Sequence, residues 1–262
     1  MLTIVTALPW EAGRFVERLE APQRRDYGEG WVLEGQRDGR CVRVFVSGPG
    51  PERAAEAAGK LESLEPQPNA VVSTGVAGAL SDDLRAGTMV LARDFLSAKL
   101  GADGFAKGHG ERLTADVELR AWVRAAIDAA ELYVEEGTSV TFDKVLGTAG
   151  LKRRERARSE SLVVQMEDSV WSEACLGLGL PFASARAVLD TVATPLPEEI
   201  LRWDWRGASK REVAGFLGRG PWRAGRLAQL GWHRGRACRA IDRMLESMVS
   251  AGPYGPGGAT AE

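Results

Sequence analysis

The chain has 262 residues, enough for one large α/β domain with a substantial core. Its 34 basic and 36 acidic residues leave a net charge near −2, so no global field points to nucleic acid. No apolar run approaches the ~18 residues of a membrane span. The apolar start lacks a basic segment and is broken at Trp10-Glu11, so it reads as a first strand and the cytoplasm is the expected compartment.

Short apolar runs alternate with helical patterns along the chain. Leu2–Ala7 is a strand candidate, followed by a helix over Glu11–Leu19. Trp31–Glu34 and Val42–Ser47 read as paired strands around a turn at Gln36, Asp38 and Gly39. The spacing then predicts a helix over Glu52–Leu64 behind a proline start and a buried strand at Ala70–Ser73, with a glycine loop behind it over Thr74–Gly78. Thr88–Ala92 is another strand, Ala115–Ala130 a helix and Ser139–Val145 a strand. Residues 97–112, rich in glycine and without periodicity, read as a long irregular loop, either a lid or an insertion. Ser169–Leu178 is helical and Phe182–Leu189 is a final strand. Strands alternating with helices argue for a single α/β domain around a twisted mixed, mostly parallel sheet with helices on both sides.

The texture changes after residue 195. Leu227, Leu230, Cys238, Ile241, Leu245 and Met248 recur at three- and four-residue steps, which predicts an amphipathic helix. The segment is rich in arginine and carries Trp203, Trp205, Trp222 and Trp232. It divides the chain into an α/β core over 1–195, a helical extension over 196–250 and a Gly/Pro/Ala-rich tail over 251–262 that is expected to be disordered. The plain reading of the extension is a helical cap. Its basic face, Arg202 to Arg243, and its tryptophans also suit peripheral contact with an anionic membrane surface.

Metal and redox chemistry have little to stand on. Cys41, Cys175 and Cys238 are far apart in apolar or helical contexts and read as structural thiols. No Cys/His cluster has zinc spacing, and His109 and His233 are distant in sequence. Gly48-x-Gly50 lacks the third glycine of a dinucleotide fingerprint. No metal or organic cofactor is expected.

Acids stand at strand ends instead. Met166-Glu167 lies where a strand feeds a helix, and Asp190 closes the next strand, twenty-three residues after Glu167. In an open parallel sheet, strand C-termini line one edge, and consecutive strands would bring both acids there. Glu11 follows the first strand. For each acid a plain structural role is the competing reading: a salt-bridged strand end for Asp190, a helix N-terminal residue for Glu167 and Glu11.

In order, the strand Met1–Ala7 with Glu11, the turn Ser47-Gly48-Pro49-Gly50-Pro51, the segment Ser73–Leu80, Met166-Glu167 and Arg186-x-x-x-Asp190 resemble the nucleoside phosphorylase superfamily over residues 1–195. That group includes purine nucleoside phosphorylases and the methylthioadenosine/S-adenosylhomocysteine nucleosidases. Residues 196–250 are similar to the helical tail of the hopanoid-associated phosphorylase/nucleosidase group.

The resemblance implies cleavage of the N-glycosidic bond of a purine nucleoside or a 5′-substituted adenosine, with a lipid-linked one as a candidate. It assigns Asp190 as the acid at the purine N7, Glu167 as the grip on the ribose hydroxyls, and Met166 as the surface under the ribose. Val76, Ala77 and Gly78 would offer backbone to the ligand. Phe142 or Val145 would border the base, and Arg186 would contact substrate. Asp168, next along the helix, points elsewhere and is left out. Glu11 decides between water and phosphate. A carboxylate in the nucleophile pocket repels a dianion, and Val76 offers it no hydroxyl, so hydrolysis leads. Arg14, one turn beyond, keeps phosphorolysis as the runner-up.

Leu189 stands where a small polar residue often precedes the catalytic acid, and Phe142-Asp143-Lys144 replaces the family's Gly-Asp strand end. Both departures motivate a third reading, a nucleoside-binding protein without turnover. The resemblance also implies a homo-oligomer.

Overall fold

The computed structural model describes residues 1–101, 106–196, 211, 215, 220 and 222–255. Eleven strands form one sheet: β1 Leu2–Thr6, β2 Glu20–Tyr27, β3 Gly30–Arg37, β4 Arg40–Val46, β5 Ala70–Ala79, β6 Met89–Leu100, β7 Ala106–His109, β8 Leu113–Thr114, β9 Val134–Phe142, β10 Val163–Gln165 and β11 Phe182–Asp190. Between them lie α1 Gly13–Val16, α2 Pro51–Ala58, α3 Val117–Ala129, α4 Ala149–Ser159 and α5 Asp168–Gly177, and α6 Trp222–Ser250 follows the last strand.

The spatial order is β10-β9-β6-β11-β5-β1-β4-β3-β2, and β10 also pairs with β5. Five strands, β5, β11, β6, β9 and β10, therefore close into a ring, and the rest of the sheet opens from β5 through β1 and β4. The pairs β1–β4, β1–β5, β5–β11, β6–β9 and β9–β10 are parallel, whereas β5–β10 and β6–β11 are antiparallel. The mixed α/β sheet agrees with the sequence reading. Its closure corrects the picture of two consecutive strands ending on one open edge, because β10 and β11 are not neighbours and β10 runs against β5.

Local chemistry explains most boundaries. The β3–β4 hairpin turns on Asp38 and Gly39, both at positive φ (50° and 72°), a conformation asparagine-like and glycine residues tolerate. Pro51 starts α2, where a missing N–H costs nothing. The Asp116 side chain accepts from Leu119 N at 2.7 Å and caps α3. The expected helix over 11–19 shrinks to the four residues of α1. Most of the expected irregular loop over 97–112 is strand, since β6 continues to Leu100 and β7 and β8 pair back onto it. Residues 102–105 of that stretch lie outside the described residues.

The apolar stripe of α6 buries Ala237, Ile241, Met244, Leu245 and Met248 in the same cluster as Ile4, Val44, Val72 and Ala185. Arg18 Nε donates to Glu246 at 2.8 Å and Arg37 Nε to the same carboxylate at 3.0 Å, which fastens the outer face of α6 to the core. The chain after residue 250 departs from the expected disorder at its start. Tyr254 is 5% exposed, its carbonyl accepts from Asn69 Nδ2 at 3.1 Å and its ring meets Trp122 edge-on. Residues 256–262, and Trp203 and Trp205 of the basic segment, lie outside the described residues. Among the described residues no helix is long and apolar enough to cross a membrane.

Candidate active site

The site begins as a gap in strand pairing. On one flank β5 pairs with β11 from Val71 to Gly78. On the other, β1 covers residues 70–73 and β10 covers residues 78 and 79. Among the described residues, no strand covers Thr74–Ala77 on that side. The segment read from sequence as a glycine loop is thus strand with one free flank. Gly75, at φ 141°, marks the point where β5 leaves β1 for β10. A Cβ at Gly75 would lie 2.6 Å from Glu11 Oε1 and 2.9 Å from Arg186 Nη1, so glycine leaves room for both side chains to approach the strand here.

Glu11 faces this gap. It is 3% exposed, on the turn that follows β1. Oε2 accepts from Thr6 Oγ1, from Ala7 N at 3.1 Å and from Leu8 N at 2.7 Å, while Oε1 accepts from Val76 N at 2.8 Å. The free N–H of β5 is the donor that fixes Oε1, and that oxygen retains capacity for a further partner. An ordinary surface helix glutamate would have none of these contacts.

Glu167, 4% exposed, occupies the residue before α5, and its Oε1 accepts from Gly50 N at 2.9 Å in the turn before α2. Its Oε2 lies 3.4 Å from Arg186 Nη2. Burial pushes the Glu167 carboxyl up to about 7, against the pull of Arg186 and the Gly50 N–H. Met166, beside it, brings Cε within 3.8 Å of the Cβ direction of Gly50.

Asp168, left out of the sequence reading, lies in the same side-chain cluster through Arg186. It is fully buried and accepts from Ser73 Oγ at 2.8 Å, Ser184 Oγ at 2.8 Å, Ser139 Oγ at 3.3 Å, and Arg186 Nη2 and Nε at 2.5 and 3.1 Å. The helical-step argument that excluded it fails because Glu167 has φ −132° and is not yet in the helix. The usual turn of about 100° per residue therefore does not separate the two side chains. Gln165 sets this entry. Its Oε1 accepts from both Glu167 N (2.6 Å) and Asp168 N (2.8 Å), and its Nε2 donates to Thr141 Oγ1 at 2.7 Å. Burial works against the Arg186 guanidinium, but Asp168 and Glu167 outweigh it and hold Arg186 charged. At 2% exposure Arg186 acts on these carboxylates and on Ser73 Oγ at 3.0 Å.

Asp190, 4% exposed, stands at the far end of the gap, opposite Gly78. Lys152 of α4, itself fully buried, forms an ion pair with its Oδ2 and donates to the carbonyls of Asp190 (3.0 Å) and Thr191 (3.4 Å). Burial raises the Asp190 carboxyl above the usual carboxylate range although Lys152 opposes it. A Cβ at Gly78 would lie 3.1 Å from both Asp190 Oδ1 and Lys152 Nζ. Lys152 was not legible as a site residue: α4 reads Ala-Gly-Leu-Lys-Arg-Arg-Glu-Arg-Ala-Arg-Ser, and its buried positions Lys152, Glu155 and Ser159 are polar, so no apolar stripe reveals which face turns inward.

Arg186 pairs with Gly75 and Asp190 with Gly78, three positions along β5, or roughly 10 Å at ~3.3 Å per residue. Glu11, Glu167, Asp168 and Arg186 gather at one end, Asp190 and Lys152 at the other, with Val76 and Ala77 between. Phe142 is 1% exposed inside an apolar cluster with Leu80, Leu96 and Leu146, whereas Val145 is 38% exposed, so the two face different surroundings. Arg14 is exposed on α1. Among the described residues no group of His, Cys, Asp and Glu side chains is arranged to hold a metal ion.

The sequence matches the family model of the phosphorylase superfamily over residues 2–214. A 5′-methylthioadenosine/S-adenosylhomocysteine nucleosidase of Chromohalobacter salexigens is 29% identical over 198 residues, covering 72% of this chain and 83% of that protein. Among solved structures, the corresponding nucleosidase of Neisseria meningitidis, in complex with methylthio-immucillin-A, is similar with a TM-score of 0.71 at 20% identity, over 95% of this chain and 97% of that one. The futalosine hydrolase of Helicobacter pylori reaches 0.69 at 17% identity, over 95% and 97%. The match along residues 2–214 spans most of the chain: this chain belongs to the phosphorylase superfamily.

Proposed function

We propose that the protein is a nucleosidase, hydrolysing the N-glycosidic bond of a purine nucleoside or 5′-substituted adenosine and releasing the base. The observation that carries this reading is the buried Glu11 carboxylate, fixed by Val76 N at the unpaired flank of β5. Cleavage leaves positive character on the sugar and negative charge on the purine. At the Glu11 end, carboxylates can orient a water and accept from the ribose diol. Those hydrogen bonds strengthen as positive charge grows on the sugar. In this scheme Glu11 orients and deprotonates the water, Glu167 holds the hydroxyls over Met166, and Arg186 with Asp168 keeps Glu167 in place. At the other end, Asp190 delivers a proton to the purine.

A phosphate dianion would need cations and free N–H donors where Glu11 already stands, and Arg14 is turned to solvent on α1. This favours water over phosphate. The names of the similar nucleosidases support the substrate class, and the long α6 beside the core supports a test of bulky 5′ substituents. Exposed Leu176 and Leu178 at the end of α5 support self-association, which sedimentation would measure. The deciding assay is base release from adenosine, inosine and 5′-methylthioadenosine with and without phosphate. Phosphate-independent release is expected. Strict phosphate dependence would replace hydrolysis by phosphorolysis, and tight binding without release would leave a binding protein.

A further inference from the structure

We infer that Lys152 is a positioning residue for the leaving-base end of the pocket, setting both the place and the proton affinity of the Asp190 carboxyl. The inference rests on the reading of Asp190 as the proton donor. The geometry is unusual in its completeness. An ammonium has three N–H donors, and those of Lys152 meet Asp190 Oδ2, the Asp190 carbonyl and the Thr191 carbonyl, the last two at 3.0 and 3.4 Å. Both side chains are out of water, at 1% and 5% exposure. One cation therefore fixes the end of β11, just after the register shift between Val188 and Asp190, together with the carboxylate it carries.

A donor to the purine must hold its proton in the free enzyme and give it up as charge develops. Burial alone favours the first requirement and opposes the second, since the carboxylate left behind would stand unsolvated. Lys152 stabilises that carboxylate. The proton leaves the Asp190 carboxyl for the ring nitrogen, and the resulting anion stays paired with an ammonium already in place. The acid is thereby tuned towards the working pH, where general-acid catalysis is most effective.

Among the described residues, the groups that pack around Asp190 are few. β5 and β10 present Gly78 and Val164. On α4, Glu155 lies one turn beyond Lys152 and pairs with His109 of β7 at 2.7 Å. From α6, His233 Nδ1 lies 3.1 Å from the Leu189 carbonyl oxygen.

The test compares wild type, Lys152→Met and Lys152→Arg, with His233→Gln and His109→Gln as controls for the two imidazoles. The first measurement is the pH profile of kcat/KM for base release. Loss of the cation is expected to slow release at least tenfold at neutral pH and to move the alkaline limb up by one pH unit or more, because the carboxyl keeps its proton longer. Lys152→Arg should restore the limb towards its original position. A rate that falls equally at all pH values, with the limb unmoved, would reduce Lys152 to a packing role and overturn the inference. The second measurement needs no turnover: the carboxyl titration of ¹³C-labelled aspartate, with Asp190 assigned from Asp190→Asn. It should show the same upward displacement in Lys152→Met, and an unchanged titration would also overturn the inference. If wild type releases no base while the titration still moves, the nucleosidase reading fails and the pairing stands.

Discussion

Glu11 and Asp190 are both buried carboxylates beside β5, and they are held in opposite ways. Glu11 receives three backbone N–H groups and a hydroxyl, all neutral and built into the fold, whereas Asp190 is held by the buried Lys152 ammonium together with backbone N–H groups, that of Leu196 among them. Around the first end, Glu167, Asp168, Arg186 and three serines interlock. Under the proposed function, the dense end holds its carboxylates in place while the sugar becomes cationic. The other end, under the same proposal, holds the proton donor beside an ammonium that stabilises the carboxylate it leaves. Neutral donors at one end and a cation at the other are two ways of holding a buried carboxylate, and both lie along the one strand β5.

The sharpest way to break this contrast is Asp168→Ala. It leaves Arg186 buried without its main partner, and a loss of about 3–5 kcal/mol is expected in urea unfolding. A loss under about 1 kcal/mol would show that Glu167 alone can compensate Arg186. Asp190→Asn should cut kcat by roughly 10²–10⁴-fold with little change in binding, because its proton matters mainly in the transition state. Single-turnover base release and calorimetric binding separate the two effects.

Glu167→Gln tests the dense end with opposite signs for activity and stability. The native carboxyl titrates at about 7, above its value of 4.5 in the unfolded chain. Between those values the native state binds more protons than the unfolded one. This group's contribution therefore falls as pH rises from 4.5 to 7 and stays low above. Glutamine removes that penalty, so the variant should be more stable than wild type at pH 8, by up to about 3 kcal/mol, and no more stable at pH 4. It should also lose most activity, and in wild type kcat/KM should rise through pH 7 as the carboxylate forms. Thermal unfolding at the two pH values and the rate profile check each part. The smallest effect is expected for Arg14→Ala, within about 0.5 kcal/mol in stability and without change in release rate. A marked loss of rate only in phosphate buffer would instead return Arg14 to the nucleophile.

How much of this was readable from sequence varies by residue. The alternation of strands and helices and the order of the acid motifs placed Glu11, Glu167 and Asp190 correctly at the ends of β1, β10 and β11, because strand-end chemistry is local. The relation among those ends was not local. Ring closure through β10 depends on two backbone pairings, Val163 with Ala79 and Val164 with Gly78, for which side chains give no cue. Strand β2 was missed because Glu-Ala-Pro-Gln-Arg-Arg-Asp-Tyr has no apolar alternation. Asp168 was set aside by a helical rule that does not hold at a cap, and Lys152 was hidden in a run of charges where only tertiary packing selects the buried one.

That same β2 shapes how the molecule meets others of its kind. It ends the sheet order, so one side of its backbone faces outward and could template a strand from another copy. Its sequence discourages this. Pro22 removes a donor, the register breaks between Glu20 and Gln23, Ala21 sits at φ 46°, and Arg24, Arg25 and Asp26 line the exposed strand. Ring closure has meanwhile joined the opposite end of the order back to β5. At high concentration or during refolding, then, edge-to-edge growth is disfavoured at β2 and removed at β10.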